Sequence, residues 1–255
     1  MAYLVAAAKR SDLETIRKSA PETWRRVRRY NLPIQLALAA AEEVMTSSHD
    51  PSVAAVISLA PCQPGSADLY RWGHVVTAGI ARGSLGDLRM NPTQTLHAVD
   101  NLAMSAFAIT YGNHADCLGL GGAAGQAWGA LEAVLERLDE TTDDEAGWGA
   151  AMTDEALVMA GDQDSTDEDA SGLGIALLFS KRPRPYAPLA GFVRLLRIER
   201  RAFASDTRAQ PHAALGLAEL VRTIEDQKQG LLSYDVPAEQ TDGVSAVSVV
   251  VEIST

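Results

Sequence analysis

The sequence predicts a single α/β domain built on a mixed, mostly parallel sheet flanked by helices. Three short apolar runs, 52–60 (SVAAVISLA), 156–160 (ALVMA) and 173–179 (LGIALLF), have the length and composition of strands buried on both faces. Around them lie Ala- and Leu-rich segments whose apolar residues recur three and four apart, the period of a helix that covers a sheet. Strand, helix, strand units in succession point to an α/β domain.

The elements follow in order. Met1 to Ala8 reads as a short strand. Pro21 to Tyr30 carries Trp24 and four arginines, Arg25, Arg26, Arg28 and Arg29, ahead of a helix from Leu32 to Met45. Leu36, Leu38, Ala39, Ala40 and Val44 give that helix its apolar face. Asp50-Pro51 and Pro61 bound the strand at 52–60, because proline breaks the ladder. A polar, glycine-containing stretch up to Leu88 reads as one helix with loops, and Met90-Asn91-Pro92-Thr93 leads into a helix from Asn101 to Tyr111 that Gly112-Asn113 ends. Asp116 to Leu120 is a short strand running into Gly121-Gly122-Ala123-Ala124-Gly125. Gln126 to Leu138 is a helix with Trp128, Leu131, Val134 and Leu138 on one side. An acidic insertion, Thr141 to Glu155, precedes the strand at 156–160, which Gly161-Asp162 ends; the strand at 173–179 stops at Ser180. Pro183, Pro185 and Pro188 then break the chain. Beyond them come a basic segment, a helix around Leu215 to Asp226 and a last strand from Val244 to Ile253 that adds to the same sheet. The chain therefore divides into an α/β portion, 1–182, and a C-terminal extension, 183–255, that completes the same domain.

Composition narrows the function. The 255 residues are 47% hydrophobic and 22% charged, the balance of a globular protein. No apolar run approaches the roughly 18 residues of a membrane span. The charges of MAYLVAAAKRSD follow the apolar stretch, the reverse of a secretory signal, so a cytoplasmic protein with no membrane contact is expected. A net charge of -11 argues against a nucleic-acid partner, because phosphate contacts need a basic surface. The charge is blocked: thirteen acids against one arginine between Glu136 and Asp169, and seven basic residues against one acid between Lys181 and Arg201. Such blocks read as a solvated loop followed by a solvated helix face. Two cysteines without a CxxC and five scattered histidines predict no metal site.

Three motifs bear on chemistry. Gly119-Leu120-Gly121-Gly122-Ala123-Ala124 fits GxGxxA between a strand and a helix, but the acidic residues about 20 positions on fall in an insertion. The segment therefore reads as a closely packed turn, and no cofactor is expected. Cys117 is a candidate nucleophile, although a small cysteine in such a place more often packs a core; no GxSxG occurs. Asp162 and Asp164 stand at the end of a strand, where open α/β sheets place functional groups, and are candidate acid and base. In a run with Asp167, Glu168 and Asp169 they also read as a solvated loop.

The order Asn91-Pro92-Thr93, Asn101, the helix 102–112, the strand 116–120, the turn 121–125, the helix 126–133 and the strand 156–161 resembles the ketosynthase side of the thiolase superfamily. In particular it resembles the short β-ketoacyl synthase N-terminal-like or chain-length-factor-like proteins, and Arg28-Arg29 before an Ala/Leu helix is similar to the N-terminal region of that family. The resemblance covers roughly residues 1 to 180 and implies a thiolase-like half with a shortened C-terminal cap. In that family a cysteine at the strand-to-helix turn takes the acyl chain. Counting back from Glu132-Ala133 places Ala123 there, or Ala124 with the register slipped by one, and past residue 114 only His212 remains of the histidines. The resemblance thus implies a non-catalytic partner of a ketosynthase or an acyl carrier protein in fatty acid or polyketide assembly, forming a homo- or heterodimer through the strand before the vacated turn. Carrier proteins are acidic, which makes Arg25, Arg26, Arg28 and Arg29, with Lys181, Arg182 and Arg184, the candidate docking cations. The alternative is an acyltransferase or thioester hydrolase that uses Cys117 or the Asp162 and Asp164 pair in the same pocket.

Overall fold

The computed structural model describes residues 1–60, 102–121, 126–138, 153–163, 171–201, 212–237 and 246–254. Strand β1 spans Ala2–Arg10. The Asp12 side chain then accepts hydrogen bonds from the amides of Glu14 and Thr15, and so starts helix α1, Leu13–Ser19. Pro21 sits at the first position of α2, Pro21–Val27, where its missing N–H has no bond to lose. Asn31 caps α3, Leu32–Met45, by accepting from the amide of Ile34. There follow β2 (Ala55–Leu59), α4 (Leu102–Tyr111), β3 (Cys117–Leu120), α5 (Gln126–Leu138), β4 (Glu155–Gln163) and β5 (Gly172–Ser180). A 3-10 turn at Ala187–Leu189 leads to β6 (Phe192–Arg201), α6 (Ala213–Gln227), β7 (Gly230–Pro237) and β8 (Ala246–Ser254).

The eight strands among the described residues form one mixed sheet in the order β3-β2-β4-β5-β1-β6-β8-β7. Only β3, β2 and β4 run parallel to one another; the other five ladders are antiparallel. The mixed sheet agrees with the sequence reading, but its balance does not, since most described pairs are antiparallel instead of parallel. The reason is in the connections. A parallel neighbour needs a crossover of a dozen or more residues, whereas antiparallel neighbours such as β4 and β5 join directly.

Helices α5 and α6 cover one face, over Ile57, Val158, Leu177 and Val251; α3 and α4 cover the other, over Val56, Leu157, Met159 and Leu178. Successive residues of β4 thus point into different layers, which is why its sequence is a continuous apolar run. Helices α1 and α2 pack outside α3 around Ile16, Leu36 and Ala39. Helix α3 lies close on the sheet because Gly161 of β4 and Gly174 of β5, cross-strand partners, leave room for it. A Cβ at Gly161 would strike the Pro33 carbonyl, and one at Gly174 the backbone of Leu36.

These glycines also correct an element boundary. Gly161 and Asp162 do not end β4, which runs on to Gln163; the glycine serves a close approach, not a turn. The basic segment after residue 181 is no helix face either. From Phe192 it is β6, whose bulge between Leu195 and Arg197 interrupts the alternation that marks a strand. The expected helix before Leu88, the entry 90–93, Ala123 and Asp164 lie outside the described residues.

Candidate functional site

The parallel strands define the end of the sheet where the resemblance puts a reactive turn. Leu59 of β2 lies between Leu120 of β3 and Ala160 of β4, so the C-terminal ends of all three strands are side by side. Gly121 leaves from that end, and α5 begins five residues later. Trp128 is buried in the first turns of α5 with its ring 6.0 Å from that of Tyr234, and its indole N–H has no partner among the described residues. Burial and Glu219, which accepts from the Tyr234 hydroxyl at 3.2 Å, push the Tyr234 pKa up to about 12.

Asp162 belongs to this end, but its role is set by α6. Its carboxylate is buried and accepts the amide of Ala214 at 2.8 Å, in the first turn of a helix whose N-cap, His212, contributes no side-chain bond. Asp162 thus caps α6 from a neighbouring strand. It is neither loop nor solvated, contrary to the sequence reading.

Cys117 sits at the opposite end of the same strands. It pairs with Val56, which in turn pairs with Leu157, five residues before Asp162 along β4. At about 3.3 Å per residue the two candidates are some 16 Å apart along the sheet, with two strand spacings between them besides. Their chemistries therefore do not meet. The Cys117 sulfur lies 3.9 Å from Asn113 Oδ1 and 3.6 Å from the Ala115 carbonyl, both acceptors. Partial burial of the sulfur, with Asp116 beside it, pushes the thiol pKa up, away from the thiolate that attack requires.

The arginines gather beside a cleft between α2, α3 and α4. Arg26 is bidentate on Glu42 of α3, at 2.7 and 2.8 Å, and the Thr23 hydroxyl donates to the same carboxylate. Glu42 is only 11% exposed and holds the Arg26 pKa above its ordinary value. Arg25 pairs with Glu22 one turn back at 2.6 Å, both well exposed. Arg29 stacks over the Tyr30 ring at 5.1 Å, and Arg28 is exposed. The side chain of Gln35 donates to the carbonyl of Tyr30 and pins this turn to α3. The cleft holds about 270 Å³ and is lined by Val27, Leu38, Ala106, Phe107 and Tyr111 together with Arg25, Arg26, Arg29 and Glu42. Burial, then the negative charge of Glu42, pushes the Tyr111 pKa up to about 12, so its phenol stays neutral at physiological pH.

The second basic group is tied down. Arg184, 22% exposed, donates to the buried Glu155 at 2.6 Å and to the Ser47 carbonyl. Arg182 makes an exposed pair with Asp154 at 2.9 Å. No set of three His, Cys, Asp or Glu side chains that could hold a metal ion, and no helix long and apolar enough to cross a membrane, occurs among the described residues. Sequence reasoning missed Glu42, Tyr111 and Glu155. Glu42-Glu43 in an otherwise apolar helix was the available signal for the first.

No family model and no curated protein matches the chain. Among solved structures, a ketosynthase (ApeO) in complex with its chain length factor (ApeC) from Xenorhabdus doucetiae is similar at a TM-score of 0.52 and 12% identity. The match covers 89% of this chain and 79% of that chain. The chain has the thiolase-like α/β fold, of the kind seen in ketosynthases and chain length factors.

Proposed function

We propose that this chain is a non-catalytic, ketosynthase-like accessory protein of fatty acid or polyketide biosynthesis, of the chain-length-factor type, that pairs with a ketosynthase or an acyl carrier protein. One observation carries the reading: the fold likeness extends over most of both chains, so the neighbour is a protein of comparable length and not one half of a far longer enzyme. A likeness over most of the chain to one chain of a ketosynthase and chain length factor complex favours an assembly partner over a lone catalyst. The site agrees with this, since Cys117 is held as a thiol and Asp162 caps a helix at the other end of the strands. Among the described residues β3 ends the sheet, an edge at which a partner chain could add.

The test is reconstitution. Purified with the ketosynthase and the acyl carrier protein of its own gene neighbourhood, the protein is expected to form a defined complex by native mass spectrometry and to shift product chain length or yield. A chain that stays solitary and leaves the products unchanged would overturn the proposal. So would thioester turnover by the isolated chain that is lost in Cys117→Ala or Asp162→Asn.

A further inference from the structure

A second cavity, of about 460 Å³, lies between the C-terminal half of β1 and α6 and falls within the roughly 300–1,000 Å³ of small-molecule sites. Its place in the sheet is given by an unbroken row of strand partners: Lys9 on Ile175, Ile175 on Ala160 and Ala160 on Leu59. The cavity is therefore level with the C-terminal ends of β2 and β4, the end at which open α/β sheets take ligands. It is also remote from the turn after β3, because β1 stands four strands away in the sheet, about 19 Å at about 4.8 Å per spacing.

Ala7, Ile175, Ala218 and Val221 give the cavity a small, apolar lining. Lys9, two residues on from Ala7, points to the same face of the sheet, toward α6. Glu219, Arg222 and Glu225 follow at three-residue intervals on the helix wall, each about 4.5 Å from the next by the helical rise. Neither Lys9 nor Arg222 makes an ion pair among the described residues. The two acids are instead anchored by phenols: Tyr234 donates to Glu219 at 3.2 Å, and Tyr186, 1% exposed, donates to Glu225 at 2.6 Å. Burial, with an acid beside each, raises the pKa of both phenols, so they remain donors at physiological pH. Arg222 stands close enough to Glu219 for its charge to act on the Tyr234 phenol. Two cations and two anions leave the cavity neutral as a whole and charged at each point. A ligand of net charge meets a group of its own sign there, whereas a ligand with one charge of each sign can match both.

We infer that this cavity binds an apolar α-amino acid as its zwitterion, with the ligand carboxylate on Arg222, the ammonium on Glu219 and the side chain against Ala7, Ile175 and Val221. The two charges of such a ligand sit on one carbon, and so match a base and an acid less than one helical turn apart. The site is independent of the accessory function proposed above.

The experiment is calorimetric titration of the full chain with L-leucine, L-isoleucine, L-valine and L-phenylalanine. At least one is expected to bind saturably, with a Kd of about 1 mM or tighter. For the tightest of them, the N-acetyl derivative, which lacks the ammonium, and the amide, which lacks the carboxylate, should each bind about tenfold more weakly or worse. Arg222→Gln, a change at an exposed position that breaks no ion pair among the described residues, should weaken the amino acid by about tenfold and leave Tm unmoved. In that variant the amino acid and its amide should bind equally weakly, since the group that told them apart is gone. Ala218→Phe, which fills the cavity from the helix wall, should abolish binding in a protein shown to be folded by thermal unfolding. No saturable binding of any of the four amino acids overturns the inference. So does a derivative that binds as tightly as its parent, or an affinity that Arg222→Gln or Ala218→Phe leaves unchanged.

Discussion

Removal of Glu155 tests whether Arg184 is a structural residue or a docking cation. The Glu155 carboxylate, 5% exposed, accepts from Arg184 at 2.6 Å, from the Ser48 hydroxyl and from the His49 amide at 3.1 Å. It thereby joins the end of α3, the start of β4 and the segment after β5. Breaking a buried pair by deleting one partner costs about 3–5 kcal/mol, because the other charge stays desolvated. Arg184 is 22% exposed, so water reaches part of it, and about 2–4 kcal/mol is expected for Glu155→Ala. At the roughly 2–4 °C per kcal/mol of a domain this size, Tm should fall by about 4–16 °C. Chemical denaturation of Glu155→Ala, Arg184→Ala and the double variant gives the coupling energy, expected at about 1.5 kcal/mol or more. Replacing both partners with Leu and Met should recover much of the loss, since no charge is then left unpaired. If Arg184→Ala costs as much without Glu155 as with it, the pair is not coupled and the reasoning fails. Affinity for a carrier protein should be unmoved by Arg184→Ala in the folded protein.

The same packing logic gives three further outcomes. Gly174→Ala should destabilise by about 1–3 kcal/mol or more, since a Cβ meets the Leu36 backbone, which cannot rotate away; a loss under 0.5 kcal/mol by urea titration would show that α3 is not so close. Asp162→Ala should cost about 1–2 kcal/mol through the lost cap of α6, with Asp162→Asn keeping most of the stability because an acceptor remains. Cys117, in a Cys62→Ser background, should alkylate with a midpoint pH above that of a free thiol and speed up in Asp116→Asn; a midpoint below pH 7.5 would mark an activated nucleophile and revive the acyl-transfer reading.

What the sequence made legible was what period and length can carry. The helices at Leu32–Met45 and Gln126–Leu138 fall where the apolar spacing put them, and the core strands β2, β4 and β5 lie within a few residues of the apolar runs. Two short helices escaped because seven residues hold too little periodicity to see; Asp12 with Glu14 was a capping signal that was there to be used. Strand β6 escaped because its bulge moves Arg197 out of phase with Leu195, so arginines looked like a stripe instead of an alternation. The site was the harder part, since Glu42 against Arg26 and Glu155 against Arg184 are separated by 16 and 29 residues and their pairing is a product of tertiary packing.

That pairing decides which cations can act on a partner. In sequence the seven candidates are equivalent. In the fold, Arg26 and Arg184 each face a carboxylate that is at most 11% exposed and are committed to it. Pulling either away would strand that acid in a low-dielectric setting, a cost no single surface contact repays. Arg25 and Arg182 hold exposed acids that water replaces readily, and Arg28 and Arg29 hold none among the described residues. The positive charge that α2 and the turn after it leave without a buried partner is therefore that of Arg25, Arg28 and Arg29, of which Arg25 and Arg29 line the cleft. A small anion entering the interior would gain little from Arg26, which is already matched.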